Sequence, residues 1–166
     1  MSILDYYFRR PILYDYIAGG VMAAYLVWAN YKGIVIPPSS DLLYSMVSDL
    51  ATVSLTLAGF LLTLVTVLIS FKSANKVDRE DVKETDTVFD IFFASALYFE
   101  TIRHLKSGIK SLVFVAVLGY SLKLCITKPN SGYLLSFNVA GLAIVVFTLA
   151  RGITILSQIV NMQRHD

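Results

Sequence analysis

The chain of 166 residues is 56% hydrophobic and only 16% charged, and its mean hydropathy is +0.66. Soluble domains are nearer one quarter charged, so this composition excludes an ordinary soluble domain and indicates an integral membrane protein. The net charge of +2 is too small to indicate nucleic-acid binding by bulk electrostatics.

The first apolar stretch covers residues 12–31, which is long enough for a span of about 20 largely apolar residues. It contains Asp15 and has aromatic residues where a signal-peptide cleavage region requires small ones, so we expect an uncleaved span. Small residues at four-residue spacing predict a helix-packing surface in this span. The pairs are Gly19 with Ala23 and Gly20 with Ala24.

The second span, predicted over residues 46–71, carries polar and small residues that recur every three or four positions. They are Ser45, Asp49, Thr52, Thr56, Gly59, Thr63, Thr66 and Ser70. This spacing places them on one face of a helix that is otherwise strongly apolar. Such a face either packs against another helix or faces water inside the membrane as the lining of a pore. The sequence leaves both alternatives open.

A cytoplasmic loop with an amphipathic helix is predicted over residues 72–107. Its first part is a cluster of charges of both signs, and its second part is rich in aromatic residues but too short to span. The basic residues that follow are either simple membrane anchors or a surface for an anionic ligand or a partner protein. This surface consists of Arg103, His104, Lys106 and Lys110.

The third and fourth spans are predicted over residues 108–127 and 133–158. Among the loops, the two short ones hold only Lys32 and Lys128, whereas the long middle loop and the two ends of the chain hold most of the basic residues. By the positive-inside rule, both termini and the middle loop are cytoplasmic. The predicted fold is therefore an all-α integral membrane protein with four transmembrane helices, forming a single domain over residues 1–166.

Four charged residues lie near the ends of the predicted spans, where a charge requires an explanation. They are Asp15, Asp49, Lys123 and Arg151. In the structural alternative, Asp15 pairs with Arg151 and Asp49 pairs with Lys123. In the functional alternative, Lys123 and Arg151 form rings of positive charge at the mouths of a pore in a symmetric oligomer, where they favour anions.

The sequence offers little for enzymatic chemistry. It shows no isolated pair of carboxylates, no glycine-rich phosphate loop, no nucleophile with a neighbouring histidine and no metal-ligand spacing. We therefore expect no enzyme activity, no metal and no cofactor. Cys125 is the only cysteine, and it is expected to be a small apolar filler.

The layout resembles that of the small four-span membrane proteins of bacterial anti-phage operons, namely the Hailong-type channel effectors and the Kiwa membrane subunits. The resemblance covers the whole chain as architecture: two cytoplasmic termini, a hydroxyl-lined second span from Thr52 to Ser70, and a basic, aromatic inner loop. It implies a tetrameric homo-oligomer in the bacterial inner membrane, acting as a gated ion channel or as a membrane sensor for a cytoplasmic partner. For a channel, it also implies anion passage and control by an anionic, nucleotide-derived ligand.

We predict a gated, anion-permeable ion channel that depolarises the membrane as an effector of antiviral defence. A single four-helix bundle has no room for an aqueous path, so the pore is expected to form between copies of the chain. Phe60 and Phe71, which flank the polar face, are the predicted gate. The predicted pore-lining residues are Thr52, Thr56, Gly59, Thr63, Thr66 and Ser70. The alternative is a non-conducting membrane anchor or sensor that recruits a cytoplasmic effector through the inner surface.

Overall fold

The computed structural model describes residues 11–74, 92–93 and 95–163. Within these residues the chain forms four long α-helices and a short 3₁₀ turn, with no strand. The helices are α1 (Pro11–Tyr31), α2 (Ser40–Ala74), α3 (Ala96–Cys125) and α4 (Gly132–Gln163), and the 3₁₀ turn is Lys128–Asn130. All four helices are long and apolar enough to cross a membrane. The predicted all-helical, multi-pass membrane architecture is thus confirmed.

Glycine, proline and serine residues set the helix ends. Gly33 follows α1 with a φ of +69°, a left-handed conformation that a residue without Cβ adopts easily. The proline pair 37–38 prevents the helix from continuing, and α2 begins at Ser40. Ser95 caps α3, since its hydroxyl accepts a hydrogen bond from the backbone N–H of Leu97 at 3.2 Å.

The four helices pack around an apolar interior. α2 packs mainly against α3 and α1 mainly against α4, while α4 also contacts α2 and α3. α1 and α3 touch over only a small area. The largest fully buried apolar side chains are Phe93, Leu43, Leu112 and Leu134. A bundle packed in this way leaves no room for a water-filled path inside one protomer.

The two short connections lie together at one end of the bundle. The hydroxyl of Ser131 donates a hydrogen bond to Ser40 at 3.0 Å, and Lys128 pairs with Asp41 at 3.4 Å. The hydroxyl of Tyr44 donates to the backbone carbonyl that follows α3, at residue 126. Consecutive helices therefore run in opposite directions. The cytoplasmic location of both termini stays a prediction, because it depends on how the bundle is inserted.

The helices extend beyond the predicted spans. α2 has 35 residues, which is about 52 Å at 1.5 Å per residue, so it exceeds a hydrocarbon core of about 30 Å. α3 begins at Ala96, so the basic surface expected in a loop belongs to the same continuous helix as the third span. Residues 75–91 and 94 of the predicted cytoplasmic loop lie outside the described residues.

Candidate functional site

The polar face of α2 points away from the protomer core. Its members, Ser45, Asp49, Thr52, Thr56, Gly59, Thr63, Thr66 and Ser70, are all exposed. The core face of the same helix includes Leu43, Val47, Leu50, Ser54, Leu61 and Leu68, which are at most 7% exposed. Six of the polar positions follow a core position by two residues, a rotation of about 200° around the helix. Packing of this face against the other described residues of the protomer is thereby excluded, and contact with another copy, with water or with lipid is among the alternatives that remain.

The polar face has a period of seven residues. Its spacing alternates between four and three, so it consists of two interleaved series. One series is Ser45, Thr52, Gly59 and Thr66, and the other is Asp49, Thr56, Thr63 and Ser70. A seven-residue repeat stays on one side of a helix when neighbouring helices cross with a left-handed twist of about 20°. The face therefore suits copies of α2 arranged around a common axis.

The threonine hydroxyls of this face bond to their own helix. Thr52, Thr56, Thr63 and Thr66 each donate a hydrogen bond to the backbone carbonyl four residues earlier, at distances of 2.9 to 3.1 Å. This arrangement uses the single donor of each hydroxyl and leaves oxygen lone pairs facing outward. The face thus presents a row of acceptors, which suit water molecules and cations better than anions.

The predicted gate residues lie beside the polar face, and Gly59 is part of it. Gly59 is open, because a Cβ added there would have no atom of the described protein within 4 Å. Phe60 and Phe71 are 51% and 47% exposed. Both rings therefore stand on the protomer surface next to the polar face, where a neighbouring copy can contact them.

A buried ion pair joins α1 to α4. Nη1 of Arg151 lies 3.0 Å from Oδ2 of Asp15, and the two side chains are 3% and 2% exposed. The predicted pairing of these residues is confirmed. Gly108 of α3 makes room for the pair, since a Cβ there would lie 3.0 Å from Cγ2 of Thr148 and 3.7 Å from Nη2 of Arg151. The buried position of Arg151 favours its structural role over that of a charge at a pore mouth.

The second predicted ion pair, between Asp49 and Lys123, is not found. The ammonium group of Lys123 donates instead to the hydroxyl of Ser48 at 2.5 Å. Ser48 and Asp49 are consecutive and therefore point about 100° apart on α2, so Asp49 is left on the exposed face. No ion pair joins Asp49 to any other described residue. The described charge on the polar face is therefore negative, not positive.

The predicted inner surface divides into two parts. Arg103, Lys106 and Lys110 are exposed on one face of α3, and none of them forms an ion pair with a described residue. His104 is half-buried on another side of the helix, where its Nε2 lies 3.7 Å from Oε1 of Glu100. The three cations thus form one surface, and the histidine does not belong to it.

An aromatic cluster links the end of α2 to the start of α3, and the sequence did not predict it. Nζ of Lys72 lies 4.1 Å from the ring centre of Phe99 and 4.6 Å from that of Tyr98. Phe92 and Phe93 are buried, and the ring of Phe93 lies 5.5 Å from that of Tyr98. The sequence shows an aromatic run and a lysine at the end of an apolar segment, but Lys72 and Tyr98 are 26 residues apart, so the sequence does not predict their contact.

Comparison of the chain with protein-family models, with curated proteins and with solved structures finds no match. The exposed polar face of α2 is the candidate functional site of the described residues.

Proposed function

We propose that the protein is a gated, ion-conducting pore in which several copies turn the polar face of α2 toward a common axis. The observation that supports this most strongly is the exposure of the face from Ser45 to Ser70 on the side opposite the core. Against lipid, its acceptor oxygens would find no donors, and the carboxylate of Asp49 would lie near hydrocarbon. An acidic side chain costs about 2.5–3.5 kcal/mol at the centre of a span and less toward its ends, where Asp49 lies. A shared aqueous axis removes both costs.

Cation preference follows from the charges and dipoles on this face. Asp49, repeated around the axis, forms a negative ring near one mouth, and the threonine oxygens present lone pairs along the path. The two cations predicted to favour anions lie elsewhere, because Arg151 is paired with Asp15 and Lys123 is bonded to Ser48. Anion passage, which the resemblance to defence proteins implies, is the competing prediction. The reversal potential under a salt gradient distinguishes the two.

The gate in this proposal is apolar. Phe60 is exposed beside Gly59, where an added Cβ would meet no described atom within 4 Å, and Phe71 is exposed near the last polar position, Ser70. Rings turned into a narrow pore exclude water, and such dewetting stops conduction without a physical plug. Rotation of α2 by a fraction of a turn would exchange these rings for the threonines.

The proposal also includes an oligomer number and a biological role. The resemblance to the anti-phage membrane proteins implies a tetramer that depolarises the bacterial inner membrane as an antiviral effector. Control would enter through the cytoplasmic end, where Lys72 of α2 contacts the aromatic residues at the start of α3. A cytoplasmic partner protein or an anionic nucleotide-derived ligand bound there would act directly on the pore helix.

The experiment is ion flux into liposomes that contain the purified full chain, combined with a measurement of oligomer mass. The test variant is Thr56→Leu with Thr63→Leu, which replaces two acceptors of the lining with apolar side chains. The matched control is Thr154→Leu, because Thr154 is also an exposed helical threonine bonded to the carbonyl four residues earlier, but on α4.

The proposal expects flux in the parent and the control, and at least a tenfold loss in the double variant at unchanged oligomer mass. Equal flux in all three proteins would show that the polar face does not line the path. Absence of flux in an intact oligomer, with and without cytoplasmic extract, would instead favour the non-conducting anchor or sensor.

A further inference from the structure

We propose that the exposed face of α3 binds an anionic phospholipid, with its phosphate on the three cations Arg103, Lys106 and Lys110 and an acyl chain in an adjacent apolar groove. The three residues are called the cation row below. This binding does not depend on ion conduction, and it concerns a different helix from the proposed pore lining.

The cation row is a compact site for an anionic headgroup. Its members are separated by three and four residues, so they share one face of α3 over about 10 Å of helix length. All three are exposed, and none has a carboxylate partner among the described residues. Like charges at this spacing repel each other, and a bound phosphate relieves that repulsion.

The same face becomes apolar immediately beyond the cation row. Phe114 lies one turn after Lys110 and is 52% exposed, and Val117 follows at 58%. A soluble anion would not contact these apolar residues. A phospholipid has a charged headgroup followed by apolar chains, in the same order as the charged and apolar residues along α3. The sequence of charges and apolar residues along α3 therefore favours a lipid over a free phosphate.

An apolar groove of about 260 Å³ adjoins this face. It lies between α1, α3 and α4, because α1 and α3 touch over only a small area. Phe114 and Leu118 line it from α3, Gly19 and Gly20 from α1, and Ile144 from α4. A Cβ added to Gly20 would meet no atom within 4 Å, so this side of the groove is open. Its lining and its distance of about one turn from Lys110 suit an acyl chain.

The experiment measures lipid binding to the purified full chain in neutral detergent by native mass spectrometry. The probes are dioleoyl phosphatidylglycerol and dioleoyl phosphatidylcholine, which carry the same chains but differ in net charge. One variant replaces the cation row with Arg103→Gln, Lys106→Gln and Lys110→Gln. Its control is Lys32→Gln with Lys128→Gln, which removes exposed cations at the opposite end of the bundle.

A second variant tests the groove without changing any charge. Gly20→Leu places a side chain in the open groove, and Ala24→Leu, on an exposed position one turn further along α1, is its control. The soluble headgroup, glycerol phosphate, is added in competition to distinguish a lipid site from a general phosphate site.

The parent should prefer phosphatidylglycerol by on the order of 100-fold, given the contribution of three cations near a membrane surface. The cation-row variant should lose this preference, and Gly20→Leu should weaken binding of both lipids by about tenfold through loss of chain contacts. Equal loss in the Lys32 and Lys128 control would overturn the site, because it would show a general charge effect. Competition by glycerol phosphate at lipid-like concentrations, or unchanged binding in Gly20→Leu, would overturn the lipid assignment.

Discussion

Neutralising one partner of the Asp15–Arg151 pair should destabilise the bundle strongly. The two groups lie 3.0 Å apart at 2–3% exposure, so neither water nor salt screens them. Removing the carboxylate of Asp15 leaves the charge of Arg151 buried without an ion-pair partner among the described residues, which costs about 3–5 kcal/mol. Asp15→Asn is therefore expected to lower the free energy of unfolding by this amount.

Replacing both partners should restore most of the loss. Asp15→Leu with Arg151→Met removes both charges and supplies apolar side chains, which in buried sites is often neutral or stabilising. It also removes Nη2 of Arg151, which is buried without a hydrogen-bond partner among the described residues. The double variant is expected within about 1 kcal/mol of the parent.

The assay is reversible unfolding in mixed micelles, followed by helical circular dichroism across a denaturing-detergent titration. The matched control is Asp41→Asn, which breaks the exposed pair with Lys128. The side chains of Asp41 and Lys128 are 86% and 75% exposed, so this change should cost well under 1 kcal/mol. If Asp15→Asn costs no more than Asp41→Asn, or if the double variant is no more stable than Asp15→Asn, the argument from the buried pair fails.

Three further outcomes are expected. Thr63→Cys, in a background without the native cysteine, should form disulfides between copies, because a disulfide needs Cα atoms within about 7 Å. Thr154→Cys, at an exposed position on α4, should not, and nonreducing gels report the difference. Asp49→Asn should lower the cation-to-anion permeability ratio measured from reversal potentials, and an unchanged ratio would remove the negative ring from the proposal. Gly19→Leu should cost about 1–3 kcal/mol by overpacking, because a Cβ there already lies 3.1 Å from the carbonyl of residue 140, while Gly20→Leu should leave the unfolding free energy unchanged.

The sequence predicted the helices of this fold and one of its buried contacts. Long apolar stretches are sufficient to identify four spanning helices. Two opposite charges near the same end of their spans were sufficient to predict the ion pair of Asp15 with Arg151. The predicted pair of Asp49 with Lys123 was wrong and shows the limit of this reasoning. Lys123 bonds to Ser48, the residue before Asp49 in the chain. Consecutive residues of a helix lie at almost the same depth in the membrane, but their side chains point about 100° apart. Depth alone therefore does not predict which of the two residues a partner contacts.

The direction of the polar face also required the structure. A hydroxyl in a helix bonds its own backbone whether it is buried or exposed, so residue type does not identify the side it faces. Ser54 is fully buried and bonds the carbonyl of Leu50 at 2.7 Å, whereas Thr56, two residues later, makes the same kind of bond on the outer surface. The apolar residues of α2 did not separate the two sides either, because many of them are exposed, as in any helix that faces lipid.

The opposed faces of α2 restrict how the length of this helix can change. Both the core face and the polar face repeat every seven residues, and they lie about half a turn apart. Insertion of one residue between Leu50 and Leu61 would rotate everything on one side of it by about 100°, so the two halves could not both keep their core contacts and their outward polar residues. An insertion of seven residues would preserve both alignments. Changes in the length of this part of α2 therefore preserve both faces only when they add or remove a nearly whole number of turns, as seven residues do.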